Sequence, residues 1–259
     1  MNNKIKISVI TPSFNQAQFI ESTINSVLDQ ENLDIEYIII DGGSTDNTVE
    51  ILKKYNNIIW ISEKDNGQSH AINKGLKLAT GEIIAWLNSD DLYTPNALKT
   101  VIQCFEENPE IEFLYGDIEY INKKGEHLFY QTGPVLTLKN LIEDPYIMRQ
   151  PSCFWRKSLF DKVGYLKEEL NVVMDLDLAI RMLRITSAHY YPFLFSKFRY
   201  YNEGKSIMFQ SKQFKEMINV LWPYWIFNYR SAKFLLGRYI DTGESSSLKK
   251  KIFNTFRKK

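Results

Sequence analysis

Cysteine is nearly absent: Cys104 and Cys153 are the only two in a chain of 259 residues. One pair without CxxC spacing supplies neither a disulfide framework nor a zinc cluster, which fits a reducing compartment and marks both as ordinary buried thiols. The three histidines, His70, His127 and His189, are scattered and no HExxH occurs, so each is expected to be structural rather than a zinc ligand. An excess of one charge is also lacking, since 32 Lys and Arg face 31 Asp and Glu for a net charge of +1. A polyanion binder needs a basic surplus, so nucleic acid is not an expected partner. No apolar run reaches the roughly 18 residues of a spanning helix. The opening MNNKIKISVI enters a strand-like run at once, without the basic start, apolar stretch and cleavage site of an export signal. A cytoplasmic location is expected, with any membrane contact peripheral. Neither GxGxxG after the first strand nor GxxxxGK[ST] is present, which disfavours dinucleotide oxidoreductases and P-loop enzymes. Internal repeats and low-complexity linkers are missing as well.

What remains is a chain 44% hydrophobic and 14% aromatic, long enough for one large soluble domain or a domain plus a small extension. From Ile5 to Leu87, short β-branched runs alternate with amphipathic patterns, the mark of a parallel sheet with helices on its faces. Strands are expected at Ile7–Ile10, Ile35–Ile40, Ile58–Ile61 and Ile83–Leu87. The unbroken run Tyr37–Ile40 suits a central strand covered on both sides. Ile20, Ile24, Val27 and Leu28 form one helical stripe; Ser44, Thr45 and Asp46 can cap a second helix holding Val49, Ile51 and Leu52. A third helix is expected from Gln68 to Leu78, and Pro95 can open a fourth that buries Leu98, Val101, Ile102 and Phe105. The second half reads as strands at Phe113–Tyr115, Ile118–Ile121 and Leu128–Gln131, with a turn at Asn122–Gly125 and a mixed sheet. A helix near Asp175 carries Leu176, Ile180 and Leu183, then comes a strand at Tyr190–Phe195. The chain from Ser206 onward reads as helical and aromatic. The expected fold is therefore α/β, a Rossmann-like sandwich with a mixed central sheet flanked by helices and a helical C-terminal extension. Its expected divisions are 1–205, with a nucleotide-binding half at 1–94 and a second, mixed-sheet half at 95–205, and 206–259.

Ligands of such sheets bind at the carboxyl ends of the strands, where loops converge and helix N-termini present free N–H groups. Carboxylates stand at three of the four ends: Asp41 after the second strand, Asp65 after the third, Asp90 and Asp91 after the fourth. One alone reads as readily as a helix cap or a turn former. Three on one rim repel unless a cation or hydrogen-bonding ligand is bound, so the rim is expected to hold a divalent metal and a nucleotide.

Taken in order, SVITPSFN, IIIDGGSTDNT, SEKDNGQSHAINKG, ATGEIIAWLNSDD, RQPSCFWRKSLFDKVG and MDLDLAIRML resemble the family 2 glycosyltransferases of GT-A fold over roughly residues 5 to 200. The resemblance implies that Pro12, Ser13, Phe14 and Asn15 pack on the nucleoside, that Asp41 hydrogen-bonds the base, commonly uracil, and that Asp65 faces the donor. The family's DXD element, which holds Mn2+ or Mg2+ on the diphosphate, maps to Asn88-Ser89-Asp90 with Asp91 adjacent. Asn88 departs from the pattern. Its amide oxygen can accept from a ribose hydroxyl or a metal-bound water but brings no charge, so the resemblance puts Asn88 and Ser89 on the nucleotide and Asp90 and Asp91 on the metal, with Asp90 the expected direct ligand and the cation held more weakly. A member without metal or activity, serving as a nucleotide-binding scaffold, is the alternative.

Asp175 and Asp177 are two residues apart on a helix, about 200° of rotation, so both cannot enter one pocket. Asp175 aligns with the family's catalytic aspartate and is assigned as general base; Asp177 is the runner-up, and Arg181 can orient either. Gly116, Asp117 and Gln150 resemble positions near the donor sugar and acceptor, or are simply turn formers. The implied reaction is inverting transfer from a nucleotide-sugar donor to a saccharide or lipid-linked acceptor. A sugar-phosphate nucleotidyltransferase would need a glycine-rich basic loop after the first strand, and TPSFNQAQ has neither glycine nor cation. At the other end, VLWPYWIF at 220–227 precedes six cations among the last eleven residues, Lys249, Lys250, Lys251, Arg257, Lys258 and Lys259. That sequence suits an anionic membrane surface, and equally aromatic packing on the catalytic domain or across a homodimer with a solvated basic tail.

Overall fold

A computed structural model describes residues 5–30, 33–204 and 210–225. Its elements are β1 (Ile7–Ser13), α1 (Ile20–Leu28), β2 (Ile35–Asp41), α2 (Thr48–Leu52), β3 (Ile59–Ser62), α3 (Gln68–Leu78), β4 (Ile83–Trp86), β5 (Leu92–Tyr93) and α4 (Ala97–Glu107). There follow β6 (Phe113–Ile121), β7 (His127–Gln131), α5 (Leu138–Glu143), a 3-10 turn (Gln150–Ser152), β8 (Cys153–Arg156), α6 (Lys157–Val163), α7 (Met174–Leu183), β9 (Ala188–Arg199) and α8 (Gln210–Trp225). Among the described residues the strands form one mixed sheet in the order β3-β2-β1-β4-β8-β6-β9-β5, with β7 on β6. The first half is parallel, β8 runs antiparallel between β4 and β6, and β6 and β9 pair in parallel.

Two-residue periodicity divides the core. Ile38 and Ile40 of β2, Ile10 of β1 and Trp86 of β4 enter one apolar cluster with Ile72 and Leu76 of α3, Leu178 of α7 and Met217 of α8. Their neighbours Tyr37, Ile39, Val9 and Ala85 enter the other, with Ile24 of α1 and Leu98, Val101 and Phe105 of α4. An unbroken Ile run is what such a doubly covered strand requires. The C-terminal helix is part of this body, since Phe214, Met217 and Leu221 belong to the first cluster. No described helix is long and apolar enough to cross a membrane. The aromatic segment beyond Trp225 and the basic tail lie outside the described residues.

Three expectations are corrected. The α2 N-cap is Asn47, with no side-chain cap bond; Asp46 instead accepts from Thr48 N, and Ser44 turns away to Asp41. The segment 113–121 is one strand rather than two, with register shifts against β9 on either side of Asp117. Gly116 makes that irregularity feasible: a Cβ there would lie 2.5 Å from the Phe195 ring and 2.7 Å from the Tyr191 carbonyl. The strand expected at 190–195 runs from Ala188 to Arg199.

Glu36 ties the lower end of the sheet together. Its carboxylate accepts from Lys6 Nζ (2.9 Å), Ser8 Oγ (2.6 Å), Thr80 N (2.7 Å) and Thr80 Oγ1 (2.6 Å). Burial alone would raise its pKa, but these donors outweigh burial and bring it from 4.5 down to about 2. A depressed folded pKa stabilises the native state fully above pH 4.5, and that contribution is lost as pH falls through about 2. Allowing for solvent screening of the Lys6 pair, Glu36→Gln is expected to cost on the order of 1–2 kcal/mol at pH 7. Urea titrations of the two proteins between pH 7 and pH 2 should show that gap closing on the acid side.

Candidate active site

The carboxyl ends of β1 to β4 open on a cleft of about 1700 Å³. Pro12, Ser13, Phe14 and Asn15 all line it, with Phe14 57% exposed. Asn15 has φ 53°, a left-handed conformation that Asn tolerates better than most residues. Its Oδ1 accepts from Thr45 N (2.8 Å), while its own N–H donates to Ser44 Oγ (2.7 Å). Gln16 N donates to Thr48 Oγ1 and Ala17 N to Asp46, so the loops after β1 and β2 are laced together. Ser13 Oγ and Gln16 Oε1 are enclosed without a partner among the described residues.

Asp41 holds this lacing from below. It is fully buried and accepts from Gly43 N (3.1 Å), Ser44 N (2.9 Å), Ser44 Oγ (2.5 Å) and Ser62 Oγ (2.6 Å). The carboxylate expected to meet the base is thus spent inside its own loop, and Asp41 is not among the residues lining the cleft. The two glycines after it have separate reasons. Gly43 takes φ +79°, and a Cβ on Gly42 would come within 2.8 Å of Asp65 Oδ2. Asp65 therefore lies over Gly42, lines the cleft and accepts from Gly67 N (2.8 Å). Asp41→Ala would leave two buried N–H groups and two hydroxyls without their acceptor, and is expected to cost about 3 kcal/mol. A chemical denaturation curve checks this, with stability inside about 0.5 kcal/mol of wild type counting against it.

Asn88 is the centre of a half-buried network. Its Oδ1 accepts from Gln68 Nε2 (2.8 Å) and Trp86 Nε1 (2.9 Å); its Nδ2 donates to Asp91 Oδ2 (3.2 Å) and Gln150 Oε1 (3.4 Å). A carboxylate here would set oxygen against oxygen on two sides, which gives the amide its reason. Asp91, expected beside Asp90 on the metal, is 1% exposed, accepts also from Arg199 N (3.0 Å) and does not line the cleft. Burial, and next the charge of Asp90, push its carboxyl well above the usual carboxylate range. Asn88, Ser89, Asp90 and Gln150 do line the cleft. Asp90 accepts from Tyr201 OH (2.9 Å), and burial raises its pKa.

Asp175 reaches the same cleft from the first turn of α7, its Oδ1 accepting from Leu176 N (2.9 Å). Asp177 points elsewhere, as the helical rotation requires: it is buried and paired with Lys167 Nζ (2.7 Å) and Arg181 Nε (2.8 Å). Arg181 also donates to the carbonyls of Val163, Gly164 and Tyr165, fastening α7 to the end of α6. Gly116 and Asp117 are outside the cleft too. Asp117 Oδ1 accepts from Gly133 N (2.7 Å) and Tyr190 OH (2.8 Å); burial first, then Asp117, raises the Tyr190 pKa to about 12. Gly116 and Asp117, expected near the donor sugar and acceptor, and Asp177 and Arg181, expected as alternative base and orienting residue, thus do not line this cleft. Both cysteines are buried, and burial pushes the Cys153 thiol far up, with nearby Asp175 acting in the same direction.

The Glycosyl transferase family 2 model matches residues 8–164, more than half of the chain. The chain belongs to that family. Relatives include an uncharacterized glycosyltransferase of Rickettsia felis, 38% identical over 226 residues covering 83% of this chain and 37% of that protein. Another is a PGL/p-HBAD biosynthesis glycosyltransferase of Mycobacterium tuberculosis, 29% identical over 180 residues, 67% of this chain and 68% of that one. The chain thus spans well under half the length of its Rickettsia felis relative. Residues 1–349 of S. aureus TarS, solved with UDP-GlcNAc, superpose with a TM-score of 0.67 at 23% identity, covering 84% of this chain and 65% of that one. The superposition establishes a GT-A-like fold for this family 2 glycosyltransferase.

Sequence reasoning overlooked a second group of lining residues in this glycosyltransferase: Tyr120 of β6, Phe198 of β9, Tyr200, Tyr201, and Phe214 and Met217 of α8. The signal was there for the strands, since Ile118/Tyr120 and Phe198/Tyr200 repeat at two-residue spacing and place each pair on one face. For a divalent cation the donor set is thin. No group of three or more His, Cys, Asp or Glu able to hold an ion occurs among the described residues. Asp90, a half-buried carboxylate facing the cleft, nonetheless fits the mode of Mg2+ or Mn2+ in which about one or two carboxylates share the ion with substrate phosphates and water.

Proposed function

We propose that this cleft takes a nucleoside-diphosphate sugar, with a UDP-sugar as first choice, and transfers the sugar with inversion to a hydroxyl of a saccharide or lipid-linked acceptor. The observation that carries the reading is that Asp90, just after β4, and Asp175, in the first turn of α7 and 85 residues further along the chain, line one cleft. The nucleoside is assigned to residues 12–15, at the end of β1 and just beyond it, which line the cleft beside Asp65. Asp90 would hold Mg2+ or Mn2+, which when bound supplies positive charge to the diphosphate leaving group. Asp175 accepts the proton of the acceptor hydroxyl while its oxygen forms the bond to the anomeric carbon and the bond to the diphosphate breaks, the electron pair leaving with the nucleotide.

The acceptor is assigned to the aromatic side. Tyr120 pairs in register with Phe198 and stacks on Phe129 at 4.3 Å between ring centroids. Of these, Tyr120 and Phe198 line the cleft with Tyr200, and the three offer an apolar face on which the C–H side of a pyranose ring can bury its surface. Incubation with UDP-, GDP- and dTDP-sugars and Mn2+, scored by released nucleotide and by the anomeric configuration of the product, tests the reading. Release from none of them would end it.

A further inference from the structure

The C-terminal helix α8 lies beyond the stretch matched by the family model, yet Gln213, Phe214 and Met217 reach the cleft wall. Glu216, between them, faces elsewhere. It is 9% exposed, and its carboxylate accepts from Asn171 N (3.0 and 3.1 Å to its two oxygens), Val172 N (2.9 Å) and Val173 N (3.4 Å). These N–H groups belong to the segment that leads into α7. The N-cap of α7 is Val173, whose side chain makes no cap bond. The N-cap N–H and the two N–H groups that precede it are thus met by a side chain 43 to 45 positions downstream. A buried carboxylate is costly unless several donors meet it, and here three backbone N–H groups and the positive end of α7 do so. Asp175 follows Val173 by two residues, so whatever fixes residues 171–173 also fixes where Asp175 points.

We propose that Glu216 is a positioning residue for Asp175, and that α8 is thereby a working part of the active site rather than an appendage. The proposal rests on the reading of Asp175 as general base. The test uses the full chain, UDP for binding, and whichever of UDP-GlcNAc, GDP-mannose and dTDP-glucose the wild type hydrolyses, since water then stands in for the acceptor. Glu216→Ala is expected to lower kcat by about 10- to 100-fold, the scale of a misplacement near 1 Å, with UDP affinity unchanged. Glu216→Gln, which keeps an acceptor oxygen, should recover most of kcat. Amide hydrogen exchange at 171–173 should quicken in Glu216→Ala and much less in Glu216→Gln. The deciding comparison is the double variant with Asp175→Asn: groups that act as a unit are not additive, so adding Glu216→Ala should cost nothing more. An equal further loss in the double variant, or wild-type kcat in Glu216→Ala beside an inactive Asp175→Asn, would refute the Glu216 proposal and leave the base reading standing. Full activity in Asp175→Asn would instead overturn the base reading, and the positioning role with it. If Glu216→Ala does not fold, Glu216→Asp carries the same comparison with a smaller expected loss of kcat.

Discussion

Asp175→Asn is expected to lower kcat by about 10²- to 10⁴-fold, the range general-base catalysis contributes, while leaving UDP affinity at the wild-type value. The substitution is nearly isosteric, and its side-chain oxygen can still accept from Leu176 N, the bond that Asp175 Oδ1 makes at 2.9 Å. What it removes is the capacity to take a proton. Single-turnover rates with a competent donor, set beside a calorimetric titration of UDP, separate the two quantities. Loss of UDP binding with the rate retained would move Asp175 from base to donor contact. Asp177→Asn makes the informative contrast: it weakens the part-buried ion pairs that Asp177 makes with Lys167 and Arg181 away from the cleft, so its effect should fall on stability.

The second large effect is expected at Asp90. Replacing it with alanine removes the one carboxylate of the Asn88–Asp91 segment that lines the cleft. In the presence of Mn2+, UDP affinity should fall about 10- to 100-fold, the equivalent of one lost charge-assisted contact. Without Mn2+, the wild type and the variant should bind UDP alike. If Asp90→Ala binds UDP as tightly as wild type with Mn2+ present, the cation is not held there.

Much of the framework was legible because periodicity is a physical signal. The stripe Leu98, Val101, Ile102 and Phe105 is buried in α4, and α3 runs from Gln68 to Leu78 as its pattern indicates. The opposite pointing of Asp175 and Asp177 follows from helix geometry alone. Short elements escaped notice, since neither β5, with two residues, nor CFWR of β8 is long enough to show a period. Site chemistry was legible as a place more than as roles. Carboxylates at strand ends marked the rim, but a sequence does not say which donors turn back on them. Asp41 is claimed by Gly43, Ser44 and Ser62, the last arriving from another strand 21 residues on. Asn88 read as a departure from DXD that leaves the cation held more weakly; the network in which it links Gln68, Trp86, Asp91 and Gln150 has no signature in the sequence. Glu216 gave no local cue at all, because its partners are made adjacent only by tertiary packing.

Crystals grown with UDP and Mn2+ give the most direct test, read through the anomalous signal of manganese. The expected map has a single Mn2+ peak between the Asp90 carboxylate and the diphosphate, the uracil ring against residues 12–15, and Asp175 facing the same cavity. A nucleotide bound away from that loop, or manganese bound without Asp90, would contradict the assignment.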